Sequence, residues 1–274
     1  MLTQFQNDDV LLLESDLFRT VTTIITGEDY VLLVDPNWLP REVEYIAGRV
    51  GELAQGKQLY LLFTHSDYDH IIGYERFPEA TTIASAAFTT NPGPESILTQ
   101  IRDFDDSYYL TRSYGISYPE IDIVVEGDGT IWQLGADEFI FLQSPGHNRD
   151  GLITFLPAKG VLIVGDYLSN IEFPYVYHGV GEYRQTLNKL ETLIESQQVK
   201  LLVTGHGDAT SDIAEMRSRL ADSRAYLDAL ETSVREKTPF DTAGLYARYG
   251  FPKVMGDFQA GNVKLMEGYL GISV

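Results

Sequence analysis

Thr64-His65-Ser66-Asp67-Tyr68-Asp69-His70 places two histidines and two aspartates within six consecutive residues. It directly follows the apolar run Gln58-Leu59-Tyr60-Leu61-Leu62-Phe63, which reads as a buried strand. Adjacent carboxylates repel each other, so four metal-competent side chains crowded at a strand end are costly to hold without a cation. The stretch points to a dinuclear metal centre, with further donors expected downstream.

The chain has five histidines and no cysteine, so any metal must be held by imidazole and carboxylate. Beyond His65 and His70, His147 follows the apolar run 138–142 in Ser144-Pro145-Gly146-His147. Asp166 follows the run 161–164 in Gly165-Asp166, and His206 follows Leu201-Leu202-Val203 in Thr204-Gly205-His206-Gly207. Each group stands where a strand ends, beside glycines that let the backbone turn sharply. Ligands at strand ends converge on one edge of a sheet.

Outward from this cluster, the first third of the chain reads as strands at 10–13, 21–25 and 30–34, with a hairpin turn at Gly27-Glu28-Asp29. Pro40 opens a helix whose Val43, Ile46 and Val50 share one face. A short strand is expected over 81–86. Residues 91–119, rich in proline, glycine and tyrosine, read as a partly helical insertion, either a lid over the site or a surface elaboration. Strands follow at 121–125, 130–132, 138–142, 152–155 and 160–165. A helix is expected over 182–196, and another over 211–235 with Asp212 and Glu215 at capping-box spacing. This order predicts two packed sheets with helices outside, in a single domain spanning 1–274 with a C-terminal helical extension from about 211.

The 274 residues are 44% hydrophobic and carry a formal net charge of -20. The acidity argues against a nucleic-acid substrate and for a small molecule. Met1 to Asp9 shows no basic stretch followed by an apolar one, and no apolar run reaches the roughly 20 residues of a membrane helix. A soluble cytoplasmic protein with no membrane partner is the expectation. The segment Phe258-Gln259-Ala260-Gly261-Asn262-Val263 is a candidate either to cover the core or to mediate a homodimer.

The ensemble of motifs resembles the metallo-β-lactamase superfamily of metallohydrolases, typified by T-H-x-H-x-D-H, then P-G-H, G-D and G-H. Its middle and C-terminal parts are most similar to glyoxalase II-like and lactonase-like members. The resemblance implies an α/β fold, the αββα four-layer sandwich, with the site at the sheet edges. It implies that His65, Asp67 and His147 hold one divalent ion, that Asp69, His70 and His206 hold a second, and that Asp166 bridges them. It also implies a hydrolase in which a metal-bound hydroxide cleaves a small ester, thioester or lactone, with Asp69 and Asp166 as catalytic groups. An Asp35-like residue acts in that family at a turn or behind a ligating histidine.

Three departures stand out. Asp67 replaces the usual second histidine, Gly73-Tyr74 replaces a glycine pair, and Asn148-Arg149-Asp150-Gly151 replaces a small turn. A third ligand carboxylate makes the site less positive and moves its preference from zinc toward manganese or iron. The same substitution keeps open a diiron redox protein or dioxygenase of this fold, and a non-catalytic metal-binding module is the third reading. For substrate contacts the candidates are His178, Tyr175 and Arg149. Pairing of Arg149 with Asp150 or with a sheet-edge carbonyl is its alternative, and Tyr108, Tyr109 and Tyr177 are further candidates for an aromatic wall.

Overall fold

The structure, a computed structural model, describes residues 1–196 and 198–272. Seven strands form the first sheet in chain order: β1 (Leu2–Gln6), β2 (Val10–Glu14), β3 (Val21–Thr26), β4 (Tyr30–Val34), β5 (Gln58–Leu62), β6 (Thr81–Ser85) and β7 (Ile123–Val125). Pairing is antiparallel from β1 to β4 and parallel from β4 to β7. The parallel half needs crossovers, which α1 (Pro40–Leu53), α2 (Tyr68–Ile71), α3 (Ala86–Thr89) and α4 (Pro94–Ser107) supply. The second sheet runs β12-β11-β10-β9-β8, built from β8 (Thr130–Leu134), β9 (Asp137–Gln143), β10 (Leu152–Leu156), β11 (Val161–Ile163) and β12 (Leu201–Val203). Against it lie α5 (Val180–Glu195), α6 (Ile213–Glu236), α7 (Thr242–Tyr249) and α8 (Pro252–Tyr269).

The unbroken apolar runs of β2 and β4 are explained by burial on both faces. Leu12 and Leu32 face the second sheet and meet Phe139, Phe141 and Leu152. Leu11, Leu13, Val31 and Leu33 face the other way, toward Val43, Ile46 and Val50 of α1. A third cluster sets Ile153, Phe155 and Leu162 against Leu187, Leu190, Leu220 and Leu227 of α5 and α6. These three apolar layers make the αββα sandwich that the motif order implied.

Several expectations are corrected. Strand β1 lies outside the strands read from the sequence; it is polar, half exposed and at a sheet edge, where no apolar signal is required. The strand expected over 121–125 begins only at Ile123, because the Asp122 carboxylate is drawn to the Thr82 amide at 2.9 Å. Asp212 does cap α6, accepting from the Ala214 amide at 2.8 Å, yet Glu215 closes no capping box. Its carboxylate is occupied by Thr210 and Arg219 instead. Of the two readings of the 91–119 segment, the packing fits the surface elaboration. Its helix α4 packs Leu98, Ile101 and Phe104 onto the outer face of the first sheet, with Phe104 and Trp38 ring centroids 4.4 Å apart.

The C-terminal helices take the covering role. Buried Asn262 of α8 accepts from the Val176 amide at 2.7 Å and donates to the Pro174 carbonyl at 2.6 Å and to the Tyr226 hydroxyl at 2.7 Å. These three bonds pin α8 to the 167–179 loop and to α6. Replacing Asn262 with Ala leaves buried backbone groups unpaired, so Asn262→Ala is expected to lower stability by about 1–3 kcal/mol. Chemical denaturation with an unchanged midpoint would contradict this role.

Candidate metal centre

Parallel pairing of β4, β5 and β6 brings the β5 end and the α2 start to the same edge as the loops after β9, β11 and β12. Seven donors meet there in two groups, His65, Asp67, His147 and Asp166 in one and Asp69, His70 and His206 in the other, with the donor atoms of each group within 4.8 Å of one another. Asp166 stands between the groups. Its Oδ2 lies 3.3 Å from His147 Nε2 and 3.3 Å from His206 Nε2, and its Oδ1 lies 3.3 Å from His70 Nε2. Asp67 Oδ2 lies 3.3 Å from His147 Nε2 and 3.5 Å from His65 Nε2, and Asp69 Oδ2 lies 3.5 Å from His206 Nε2.

Close approach of the backbone makes this convergence feasible. A Cβ on Gly205 would fall 2.1 Å from Asp166 Oδ1, so only glycine lets the β12 loop pass that carboxylate. Gly165 turns the chain into Asp166 with φ of 58°, a left-handed conformation that glycine adopts without strain.

Each imidazole is oriented by its other nitrogen. His147 Nδ1 donates to the Tyr175 carbonyl at 2.7 Å, and His206 Nδ1 donates to the Phe18 carbonyl at 2.8 Å. His70 Nδ1 donates to Asp35 Oδ2 at 2.9 Å. The Thr64 hydroxyl donates to the same Asp35 oxygen at 2.6 Å, which leaves its oxygen to accept from His65 Nδ1 at 3.0 Å. Carbonyls and carboxylates only accept, so the proton stays on Nδ1 and all four Nε2 atoms are presented to the centre. Asp35 thus acts behind His70, the role the resemblance gave it.

A second carboxylate, missed in the sequence, holds the other end of the motif. Asp150 accepts from the Ser66 amide at 3.0 Å and the Ser66 hydroxyl at 2.7 Å, and Asn91 of the inserted segment donates to Ser66 Oγ at 2.7 Å. Asp67 is the residue preceding α2, yet its side chain makes no capping bond. It turns inward and takes hydrogen bonds from the Tyr177 hydroxyl and, at 3.4 Å, from Asn148. The unusual turn after His147 therefore serves two residues of the cluster, Ser66 and Asp67.

The donors fit divalent cations. His65 Nε2, His70 Nε2 and Asp166 Oδ1 are buried without a hydrogen-bond partner, an expensive state that a cation among them relieves. Burial opposes charge on His147, but hydrogen bonds to Asp166 and Asp67 outweigh it and push its pKa up to about 10. Against the same burial, Asp166 and Glu172 push His206 up to about 10. Burial also disfavours the Asp67 and Asp166 carboxylates, yet the surrounding histidines hold both well below the usual range.

A cavity of about 220 Å³ opens over the donors, walled by Phe18, Leu168, Glu172, Phe173, Tyr175 and Phe258 among others. Of the three residues considered for substrate contact, Tyr175 lines this cavity. Arg149 lies outside it on the surface and donates to the Thr90 carbonyl at 3.0 Å at the end of α3, neither to a sheet-edge carbonyl nor to Asp150, which is committed to Ser66. His178 is exposed and borders a separate groove with Lys264 and Tyr269. Tyr108 and Tyr109 are 64% and 96% exposed and stand away from the cavity. Glu172 and Asp257 line it without a sequence signal, because neither belongs to a motif.

Removing the carboxylate behind His70 by Asp35→Ala is expected to weaken divalent-metal affinity by about 10–100-fold. Because cation-free His147 and His206 retain protons near neutrality, a bound cation must displace them. Apparent affinity should therefore rise from about pH 6 to about pH 9, with protons released on binding. Titration calorimetry in buffers of differing protonation enthalpy measures both, and pH-independent affinity would contradict this electrostatic picture.

Comparison with known proteins agrees with this geometry. The chain superposes on a sec-alkylsulfatase from Pseudomonas sp. with a TM-score of 0.70 at 15% identity, over 98% of its own length and 50% of the sulfatase, so it spans about half of that enzyme. A metallo-beta-lactamase family protein from Thermus thermophilus matches with a TM-score of 0.65 at 19% identity, covering 96% of this chain and 92% of that one. A metallo-beta-lactamase HARLDQ-motif mutant from Cronobacter sakazakii gives a TM-score of 0.59 at 19% identity, over 87% and 100%. No curated protein sequence matches the chain. At these identities the likeness speaks to the fold. The family model for the metallo-beta-lactamase superfamily, however, matches residues 16–206, a span that holds all seven donors, and the chain belongs to that superfamily.

Proposed function

We propose that the chain is a dinuclear metal-dependent hydrolase acting on a small ester, thioester or lactone. Superfamily membership and the His/Asp cluster support metal-dependent hydrolysis in general. The observation that carries the two-ion reading is the position of Asp166 between the two donor groups, 3.3 Å from His147 on one side and 3.3 Å from His70 and His206 on the other.

Bound divalent ions supply Lewis-acid polarisation of a carbonyl and acidify water at neutral pH. The protein supplies the rest. His65, Asp67 and His147 would hold one ion and Asp69, His70 and His206 the other, with Asp166 placed to serve both groups. Asp69, on the cavity wall among the donors, would orient the attacking water and accept its proton. The Tyr177 hydroxyl fixes Asp67, and Tyr175, Phe173 and Phe258 exclude bulk water from the reacting end. A cavity wall with carboxylates and, among the described residues, no lysine or arginine favours carbonyl esters over phosphodiesters or other anions.

The protein as purified without metal supplementation is expected to carry two divalent ions per chain, with manganese or iron among them. Zinc alone at full occupancy would contradict the carboxylate-rich argument. Asp166→Ala should lower the content to one ion or fewer and reduce kcat/KM on an aryl ester by at least about 100-fold. Full ester or lactone turnover after chelation would overturn metal-dependent hydrolysis, and oxygen consumption without ester turnover would replace it with the diiron redox reading.

A further inference from the structure

The cavity over the donors has two kinds of wall. One is aromatic: Tyr175 lies flat on Phe258 with centroids 4.1 Å apart and planes within 6°, and Phe173 meets Phe258 edge-on at 6.4 Å. The other is acidic. Half-buried Glu172 and the exposed rim residue Asp257 line the cavity, and among the described residues neither carboxylate has a hydrogen-bond or ion-pair partner. Among the described residues no lysine or arginine lines it. Glu172, Phe18 and Val254 also line a second chamber of about 270 Å³, whose Arg19 is already engaged by Glu14 at 2.9 Å and by Asp208. Among the described residues, Glu172 therefore has no directly bonded cation, although its charge is felt by His206 of the donor cluster.

A half-buried carboxylate with no bonded partner, facing a cavity beside aromatic rings, is well placed to take a cation that a ligand brings. Beside aromatic rings, the cation that gains most is one whose charge is spread over alkyl groups and whose hydration is weak, a substituted ammonium. The carboxylates of Asp67, Asp69 and Asp166 offset much of the charge of two divalent ions, so the reacting end does not forbid a cationic substrate. We propose that the substrate carries a quaternary or tertiary ammonium group, seated between Glu172 and the Tyr175–Phe258 pair with its acyl end toward the donors. The ammonium subsite is a property of the cavity; only the fate of the acyl end rests on the hydrolytic reading above.

Choline and 3,3-dimethyl-1-butanol test this directly, because they share one shape and differ in a nitrogen cation against a neutral carbon. Calorimetric titration of the protein, with its metal content as purified, should show choline binding at least about tenfold more tightly, with the advantage shrinking as salt is added. Glu172→Gln should bring the two affinities to within about threefold, and Asp257→Asn at the exposed rim should move the ratio the same way by less. Equal affinity for the two alcohols, or a ratio unchanged in Glu172→Gln, would overturn the subsite. Their acetate esters separate the two claims. Tight choline binding with neither ester cleaved keeps the subsite and overturns ester hydrolysis. Cleavage of both esters without a choline preference does the reverse.

Discussion

Three carboxylates and four imidazoles, gathered into one buried pocket with Asp166 at its centre, form a constraint that the rest of the structure serves. Without cations the groups repel like charges, leave buried nitrogens and a carboxylate oxygen unpaired, and hold protons that free imidazoles release. A fold does not retain such a cluster for stability, since a buried ionic group seldom outweighs its desolvation. The sandwich is instead a frame that aims the loops after β5, β9, β11 and β12 at one point and fixes each side chain from behind.

That fixing depends on two carboxylates that hold no cation. Asp35 at the end of β4 ties the Thr64 amide and hydroxyl to the His70 ring. Asp150, from the opposite sheet, ties down Ser66. Between them the six-residue motif is clamped at both ends, so Asp67 and Asp69 point inward although Asp67 occupies a position where aspartate more often caps a helix. The clamp also joins the two sheets at their shared edge, which connects packing of the central core to the geometry of the site.

The seven donors and the layer order were legible in the chain because both rest on local signals. His147, Asp166 and His206 each follow an apolar run that could only be a buried strand, and the runs at 10–13 and 30–34 show no alternation because helices cover their outer face. What escaped was set by contacts between distant segments. Strand β1 is polar because it lies at an edge. Asp150 read as a partner for the adjacent Arg149, whereas its true partner comes from the other sheet. The tyrosine-rich insertion resembled a lid by composition, but its apolar face found the first sheet, and α8 closed the cavity through Asn262, a residue in no motif. Asp257 joins the cavity wall through α8, and Glu172 through the 167–179 loop.

The cavity follows from the same division of labour. The first sheet supplies His65, Asp67, Asp69 and His70, the second supplies His147, Asp166 and His206, and the C-terminal helices decide what can approach them. Specificity can then change through α8 and the 167–179 loop while the donor frame stays intact. The central claim is that two cations flank Asp166. Anomalous diffraction from crystals of the protein, collected across the manganese, iron and zinc edges, tests it most directly. Two peaks are expected, one among His65, Asp67 and His147 and one among Asp69, His70 and His206, both in contact with Asp166. A single peak, or none, in crystals grown with excess metal would contradict it.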